Sequence, residues 1–390
     1  MYNDMIRHLN EIVLPFWKKL KDDKNGGYIS YMGHDLSTDP GAERGCILNS
    51  RILWFFSQAV ITLEDKSLLE YADHAYNALL SMLDDEFGGV FWSMNADGTV
   101  FDSTKHTYNQ AFAIYALSTY YQASGKEQAL DHARALFDLI EDKFTDEVSY
   151  VDAAARDFSP VDNGKLSENG VMADKTMNTL LHLLEAYTEL YRVSGDEEVR
   201  QRIYFIFNIL EKKIYNPKKH RLDVFFDKDY NSIIDMHSYG HDIETSWLAD
   251  RTLEILGDDM LTARIRPILQ DLAAETYRVA YTENGFYNEC VRGKVDKKRI
   301  WWVQAEALVG FLNAYEKTSD VKYLEASRSL WKFIDEKITD RREGSEWFWQ
   351  LEEDGETPSP YKPIVEPWKC PYHNGRMFFE VIGRKAGKEL

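Results

Sequence analysis

The chain has 390 residues, 44% of them hydrophobic and 14% aromatic, enough for a core that buries roughly three quarters of the unfolded surface. Its 46 basic and 65 acidic side chains give a net charge of −19, which repels nucleic-acid backbones and anionic membranes and leaves a neutral or cationic partner. The three widely spaced cysteines, Cys46, Cys290 and Cys370, give little support to a disulfide framework or a zinc site.

The first segment, MYNDMIRHLNEIVLPFWKKLK, intersperses charges among apolar residues and reads as an amphipathic outer helix rather than a signal peptide. Six apolar helix-like segments follow, beginning near Arg51, Asn109, Asn178, His241, Gln304 and Asn374. They form a repeat of about sixty-odd residues, longer than the common solenoid periods. Between them lie helical patterns charged on one side, such as ALDHARALFDLIEDKF after residue 128 and VRQRIYFIFNILEKKIY from Val199. All-round apolarity marks a buried helix and a charged face a peripheral one. Six inner and six outer helices make an all-α (α/α)6 barrel, a toroid expected to be a single domain over residues 1–390, since no Pro/Gly/Ser-rich linker divides it. The connections from outer to inner helices are long and carry Gly, Asp, Asn and aromatics, and NADG at residues 95–98 is a hairpin turn. Small β-hairpins are therefore expected around one mouth, where the function should lie. No run of about twenty apolar residues is evident, so no membrane association is expected and the chain reads as a cytoplasmic monomer.

The histidines divide by position. His8, His74, His132 and His220 lie in outer-helix or lysine-rich contexts and read as solvated or locally bonded. His182 stands one turn into an inner helix, four residues after Asn178 and on the same face. His241 opens another inner helix, and His373 precedes the last. Each alone reads as structural, but three at equivalent helix ends converge on one cavity if the ring closes, with His106 and His237 near the rim. An imidazole pair can take and return a proton near neutral pH, which suits proton removal beside a carbonyl. Arg51, at the start of the first inner helix, offers a charged fork of donors for an enediolate oxygen. The structural alternative is an arginine buried against Glu244 or Asp174. Trp301, Trp302, Trp368, Tyr108, Trp92, Trp347 and Trp349 stand at element ends beside Asn109, Asn178, Gln304 and Glu306, which suits the apolar face and hydroxyl edge of a sugar. His241 with Glu244 and His182 with Glu185 are H-x-x-E pairs, a poor match to helical diiron sites. The simpler reading gives Glu244 an imidazole to orient. No H-E-x-x-H, G-x-G-x-x-G or P-loop occurs, so no metal or other cofactor is expected.

The stretches KHTYNQAFAIYAL from Lys105, DKTMNTLLHLLEAY from Asp174, HDIETSWL from His241, WWVQAEAL from Trp301 and WKCPYHNGRM from Trp368 resemble the N-acylglucosamine 2-epimerase superfamily, most closely the cellobiose 2-epimerases. The resemblance covers essentially the whole chain. It implies reversible epimerisation at C2 of the reducing-end glucose of β-1,4-linked disaccharides, cellobiose to glucosyl-mannose and lactose to epilactose, through a cis-enediolate. By motif, His373 and His241 match the acid/base pair, with His373 the base in the glucose-to-mannose direction. His182 matches a third essential histidine near the ring oxygen, and Arg51 the arginine facing O2. Tyr108, Asn178, Glu244, Trp302 and Trp368 match positions that contact the sugar or support the histidines, with Trp301 competing with Trp302. Acylglucosamine epimerases and mannose or other aldose–ketose isomerases share the toroid and remain alternatives. From a different class, an (α/α)6 glycoside hydrolase would use paired carboxylates, for which Asp174, Glu244 and Glu306 are available. A sugar-binding protein without activity is a third reading.

Overall fold

In the computed structural model, which describes residues 1–390, each apolar segment is a helix: Cys46–Leu63, Thr107–Ser124, Met177–Ser194, Tyr239–Leu256, Trp301–Thr318 and Tyr372–Gly383. Each packs on the next in sequence, and the last packs on both the fifth and the first, so the ring closes. The inner helices are buried on every face, as in the unbroken buried run Thr107 to Tyr120. The outer helices bury a single stripe; in Glu127–Lys143 it is Ala129, Ala133, Leu136, Phe137 and Ile140. The remaining outer helices cover residues 2–19, 69–80, 197–214, 259–279 and 321–338. The all-α (α/α)6 barrel is thus the architecture of this chain.

The two ends of the toroid are built differently. Inner-to-outer turns are tight: each inner helix except the last ends on a left-handed residue, Glu64, Gly125, Gly195, Gly257 or Ser319. In three of these turns an aspartate then caps the outer helix, Asp196, Asp258 and Asp320, and in a fourth Asp65 caps the short 3-10 turn Lys66–Leu68 that leads into it, each by accepting backbone N–H bonds. At the opposite end the long connections form the expected small hairpins, including 93–94 with 100–102 around Asn95–Thr99. Here a short strand immediately before an inner helix pairs with the loop of the following unit. Arg44–Gly45 pairs with 93–94, Lys105–His106 with 153–154, Lys175–Thr176 with 225–226, Met236–Ser238 with 289–291, and Arg299–Ile300 with 350–351. Five inner helices therefore have their N-terminal ends pinned around one mouth.

One sequence expectation needs correction. The helix Cys46–Leu63 is long and apolar enough, by length and composition, to cross a membrane. Its apolarity has another cause: 78% of it is buried inside the ring, where a helix surrounded by protein needs no polar face.

Candidate active site

The first turns of the inner helices open onto a cavity of about 370 Å³, within the range of small-molecule sites. Arg51, Tyr108, Asn178, His182, His241, Glu244, Trp301, Trp302, Trp368 and His373 all line it. They come from every inner helix and from the loop before the last one. Trp302 stands at the centre: its indole lies 4.9 Å from the His241 ring and 5.2 Å from the His373 ring, centroid to centroid. Gly240 makes this possible, because a Cβ there would lie 2.5 Å from the Trp302 ring.

The three histidines are held in one manner, by Nδ1. His373 Nδ1 meets Glu306 Oε1 at 2.7 Å, His182 Nδ1 meets Glu185 Oε2 at 2.9 Å, and His241 Nδ1 meets Ser238 Oγ at 2.7 Å. A carboxylate only accepts, so Nδ1 of His182 and His373 carries the proton and Nε2 keeps its lone pair. Burial pushes the His241 imidazole down to about 3. Burial, with Arg376 and Arg51 nearby, holds His373 well below the usual histidine range. Both are neutral bases at neutral pH.

Arg51 is 2% exposed and pairs with no carboxylate. Its Nη2 donates to the Tyr108 hydroxyl at 2.8 Å, and its guanidinium lies 4.3 Å from the Phe112 ring centroid and 4.7 Å from that of Tyr372. The expectation of a carboxylate partner such as Glu244 or Asp174 is not met. Arg51 Nη1 also reaches the Trp368 carbonyl at 3.5 Å and its neighbours include the Cys370 thiol, so a buried cation met by a phenol, a carbonyl, a thiol and ring faces but by no carboxylate keeps strong attraction for negative charge in the cavity.

Other sequence expectations change. Glu306, expected at the sugar surface, lies outside the cavity lining and behind His373, where it also accepts from Trp247 Nε1 at 2.9 Å. Glu244, expected to orient an imidazole, instead accepts from Arg376 and stays 3.9 Å from His373 Nδ1. Its Oε2 is buried without a partner. Burial and neighbouring Glu306 raise its carboxyl to about 7. Asn109 and Gln304 clamp the loops: Asn109 Nδ2 donates to Phe91 O, and Gln304 bonds both N–H and C=O of Phe286. His106 packs on Trp92, and His237 bonds Asp242; neither lines the cavity. Of the loop tryptophans, Trp349 lines it, whereas Trp347 is buried against His8.

Sequence reasoning missed Arg376, whose guanidinium joins Glu185, Glu244 and Glu306. Its signal was the spacing: it stands one turn past His373, on the same helical face. Glu244, Glu306 and His373 bring ligand atoms within 4.8 Å of one another, but the Arg376 guanidinium already bridges the two carboxylates, supplying the positive charge such a cluster attracts. Also missed was the polar outer wall of the cavity, with Lys165, Glu168, Asn288, Glu289, Asp296 and Lys298.

The pattern of the family described as N-acylglucosamine 2-epimerase (GlcNAc 2-epimerase) matches residues 27–374. The chain belongs to this family. Within it, the chain is 47% identical over 100% of both chains to a cellobiose 2-epimerase of Eubacterium cellulosolvens. It is 48% identical to a cellobiose 2-epimerase of Ruminococcus albus, over 98% of this chain and 99% of that one. A solved structure of a sugar epimerase from a ruminal bacterium superposes with a TM-score of 0.97 at 47% identity, covering 99% of each chain.

Proposed function

We propose that this chain is a cellobiose 2-epimerase, an isomerase of one domain that reversibly inverts C2 of the reducing-end sugar of β-1,4-linked disaccharides. The observation that carries the reading is the Trp302 indole touching both His241 and His373 in a cavity that also holds the uncompensated Arg51. Relatives named cellobiose 2-epimerase at 45–48% identity over nearly the whole chain support the substrate class.

After the ring opens with help from His182, the aldehyde acidifies the C2 hydrogen. Neutral His373 Nε2 takes it, and the Nδ1–H of the imidazolium that forms donates its hydrogen bond to the Glu306 carboxylate. Arg51 receives the negative charge of the cis-enediolate. Rotation about C2–C3 presents the other face to His241. The negative charge of the enediolate raises the basicity of this histidine, which takes a proton from water and delivers it to C2. One proton leaves C2 for His373 and one arrives from His241, and His373 resets by releasing its proton to water. Tyr108 holds Arg51, while Trp302 and Trp368 supply apolar faces for the sugar and Asn178 and Glu244 supply polar contacts. Trp301 lines the cavity beside Trp302 and backs it. A glycoside hydrolase is less well supported, because of its three candidate carboxylates Asp174 is exposed and outside the cavity lining, and Glu306 is committed to His373 and Arg376 behind that lining, which leaves Glu244, itself tied to Arg376, without a partner among them across the bond. The three unpaired cysteines fit a reducing, cytoplasmic setting.

Incubation with cellobiose, lactose, N-acetylglucosamine and mannose, followed by product separation and mass measurement, tests the reading. Glucosyl-mannose and epilactose of unchanged mass are expected. Monosaccharides, a ketose as main product, or turnover of N-acetylglucosamine alone would reject it.

A further inference from the structure

Arg376 touches neither the cavity nor solvent, being 1% exposed, yet it joins the carboxylates behind the histidines. Nη1 donates to Glu185 Oε1 and to the Tyr372 hydroxyl; Nη2 donates to Glu244 Oε1 and, at 2.6 Å, to Glu306 Oε1. Those glutamates come from three different inner helices. Two of them bond an imidazole Nδ1, Glu185 that of His182 and Glu306 that of His373.

Three buried carboxyl groups around one guanidinium cannot all ionise cheaply, because burial and mutual repulsion favour the neutral acid. Which one stays neutral matters chemically. A protonated Glu306 or Glu185 would donate to Nδ1, move the imidazole proton to Nε2, and remove the lone pair that faces the cavity. We propose that Arg376 is a positioning residue that keeps Glu185 and Glu306 anionic and so fixes His182 and His373 in the Nδ1–H form. It does this by engaging those two carboxylates on different arms of its fork while leaving Glu244 Oε2, which bonds no imidazole, unpartnered. At Glu185 burial pushes the carboxyl up, but Arg376 and the His182 and Tyr372 bonds outweigh it and hold it at about 2; at Glu306 burial wins and raises the carboxyl, with Arg376 the largest influence pulling it back down. Glu244 takes the deficit and rises to about 7. The other ionisable groups near Arg376 are Tyr115, Tyr372, His373 and Glu380.

The inference rests on the two-histidine epimerisation above, so its test includes a readout that does not depend on turnover. Side-chain ¹⁵N NMR of the full-length protein reports the histidine tautomers, alongside kcat, KM and the acid limb of the kcat–pH profile, for wild type, Arg376→Met and Arg376→Lys. Wild type should show Nδ1–H at His182 and His373. Arg376→Met should convert at least one to Nε2–H and lower kcat by about 10- to 100-fold with KM held within about twofold, since the sugar is not touched. Its acid limb should move to higher pH, because Glu185, Glu306 and His373 all hold protons more tightly without the nearby positive charge. Arg376→Lys, whose single ammonium reaches fewer oxygens, should change in the same directions by less, and carries the test if the methionine variant does not fold. Nε2–H tautomers in wild type, or wild-type tautomers and an unmoved acid limb in both variants, would overturn the inference. A parallel His373→Ala that still epimerises would instead sink the two-histidine reading, leaving the tautomer result to be judged alone.

Discussion

Replacing Glu306 by Gln separates the role found for it, support of His373, from the sugar contact its sequence position suggested. The substitution keeps the shape and removes the charge. In the native protein Oε1 accepts from His373 Nδ1 at 2.7 Å and from Arg376 Nη2 at 2.6 Å, while Oε2 accepts from Trp247 Nε1 at 2.9 Å. A hydrogen bond to an ionised acceptor is about twice as strong as a neutral one, so the amide oxygen weakens the support of the forming imidazolium by about 1.4 kcal/mol. That corresponds to about a tenfold loss in kcat. The amide NH2 then faces Trp247 N–H, and a buried donor without a partner costs about 1–3 kcal/mol. Set against about 5–15 kcal/mol of total stability, the fold survives with a lower Tm. Initial rates over a range of cellobiose concentrations, with thermal unfolding of the same preparations, give kcat, KM and Tm together. Wild-type kcat with only a lowered Tm would refute the support of His373; unchanged kcat with raised KM would return Glu306 to the sugar surface.

Arg51→Ala removes the cation that lines the cavity and, if the proposed enediolate forms there, should lower kcat by about 100- to 1000-fold; steady-state kinetics check it, and near-normal turnover would make Arg51 a packing residue. Gly240→Ala places a Cβ 2.5 Å from the Trp302 ring, so overpacking of about 1–3 kcal/mol should appear in denaturant unfolding, and kcat should fall about 100-fold as the wall between the histidines shifts. Lys369→Met strands Glu346, with which it forms a fully buried pair, and should cost about 3–5 kcal/mol. Burial already raises the Glu346 carboxyl despite Lys369; without the lysine the folded state holds a proton that the unfolded state has released. Stability of this variant should therefore fall as pH rises through the raised folded value, so its Tm deficit is larger at about pH 8 than at about pH 5.

The ring was legible because a helix surrounded by helices needs no polar face, so the six inner segments differ visibly from the one-sided outer ones. The cavity residues were legible because His182, His241 and Arg51 lie within the first two turns of their helices, and hairpin pairing pins five of those ends around one mouth. Partner choice was not legible. His241 and Glu244 are three residues apart, as are His182 and Glu185, yet only the second pair bonds. The bond that holds His373 crosses between helices to Glu306, and a one-dimensional pattern carries no register between neighbouring helices. Asn109 and Gln304 misled for a related reason: both begin inner helices, but their amides turn to the loop backbones at Phe91 and Phe286. Position along a helix indicated depth in the ring, while direction around the helix depended on packing.

The central claim is that His373 removes the C2 proton of the sugar and His241 supplies another from the opposite side. Epimerisation of cellobiose in D2O, followed by NMR and mass spectrometry at early conversion, tests it most directly. The account predicts one deuterium at C2 of the glucosyl-mannose product, with no product from His373→Ala or His241→Ala. Product that forms without deuterium at C2 would contradict it.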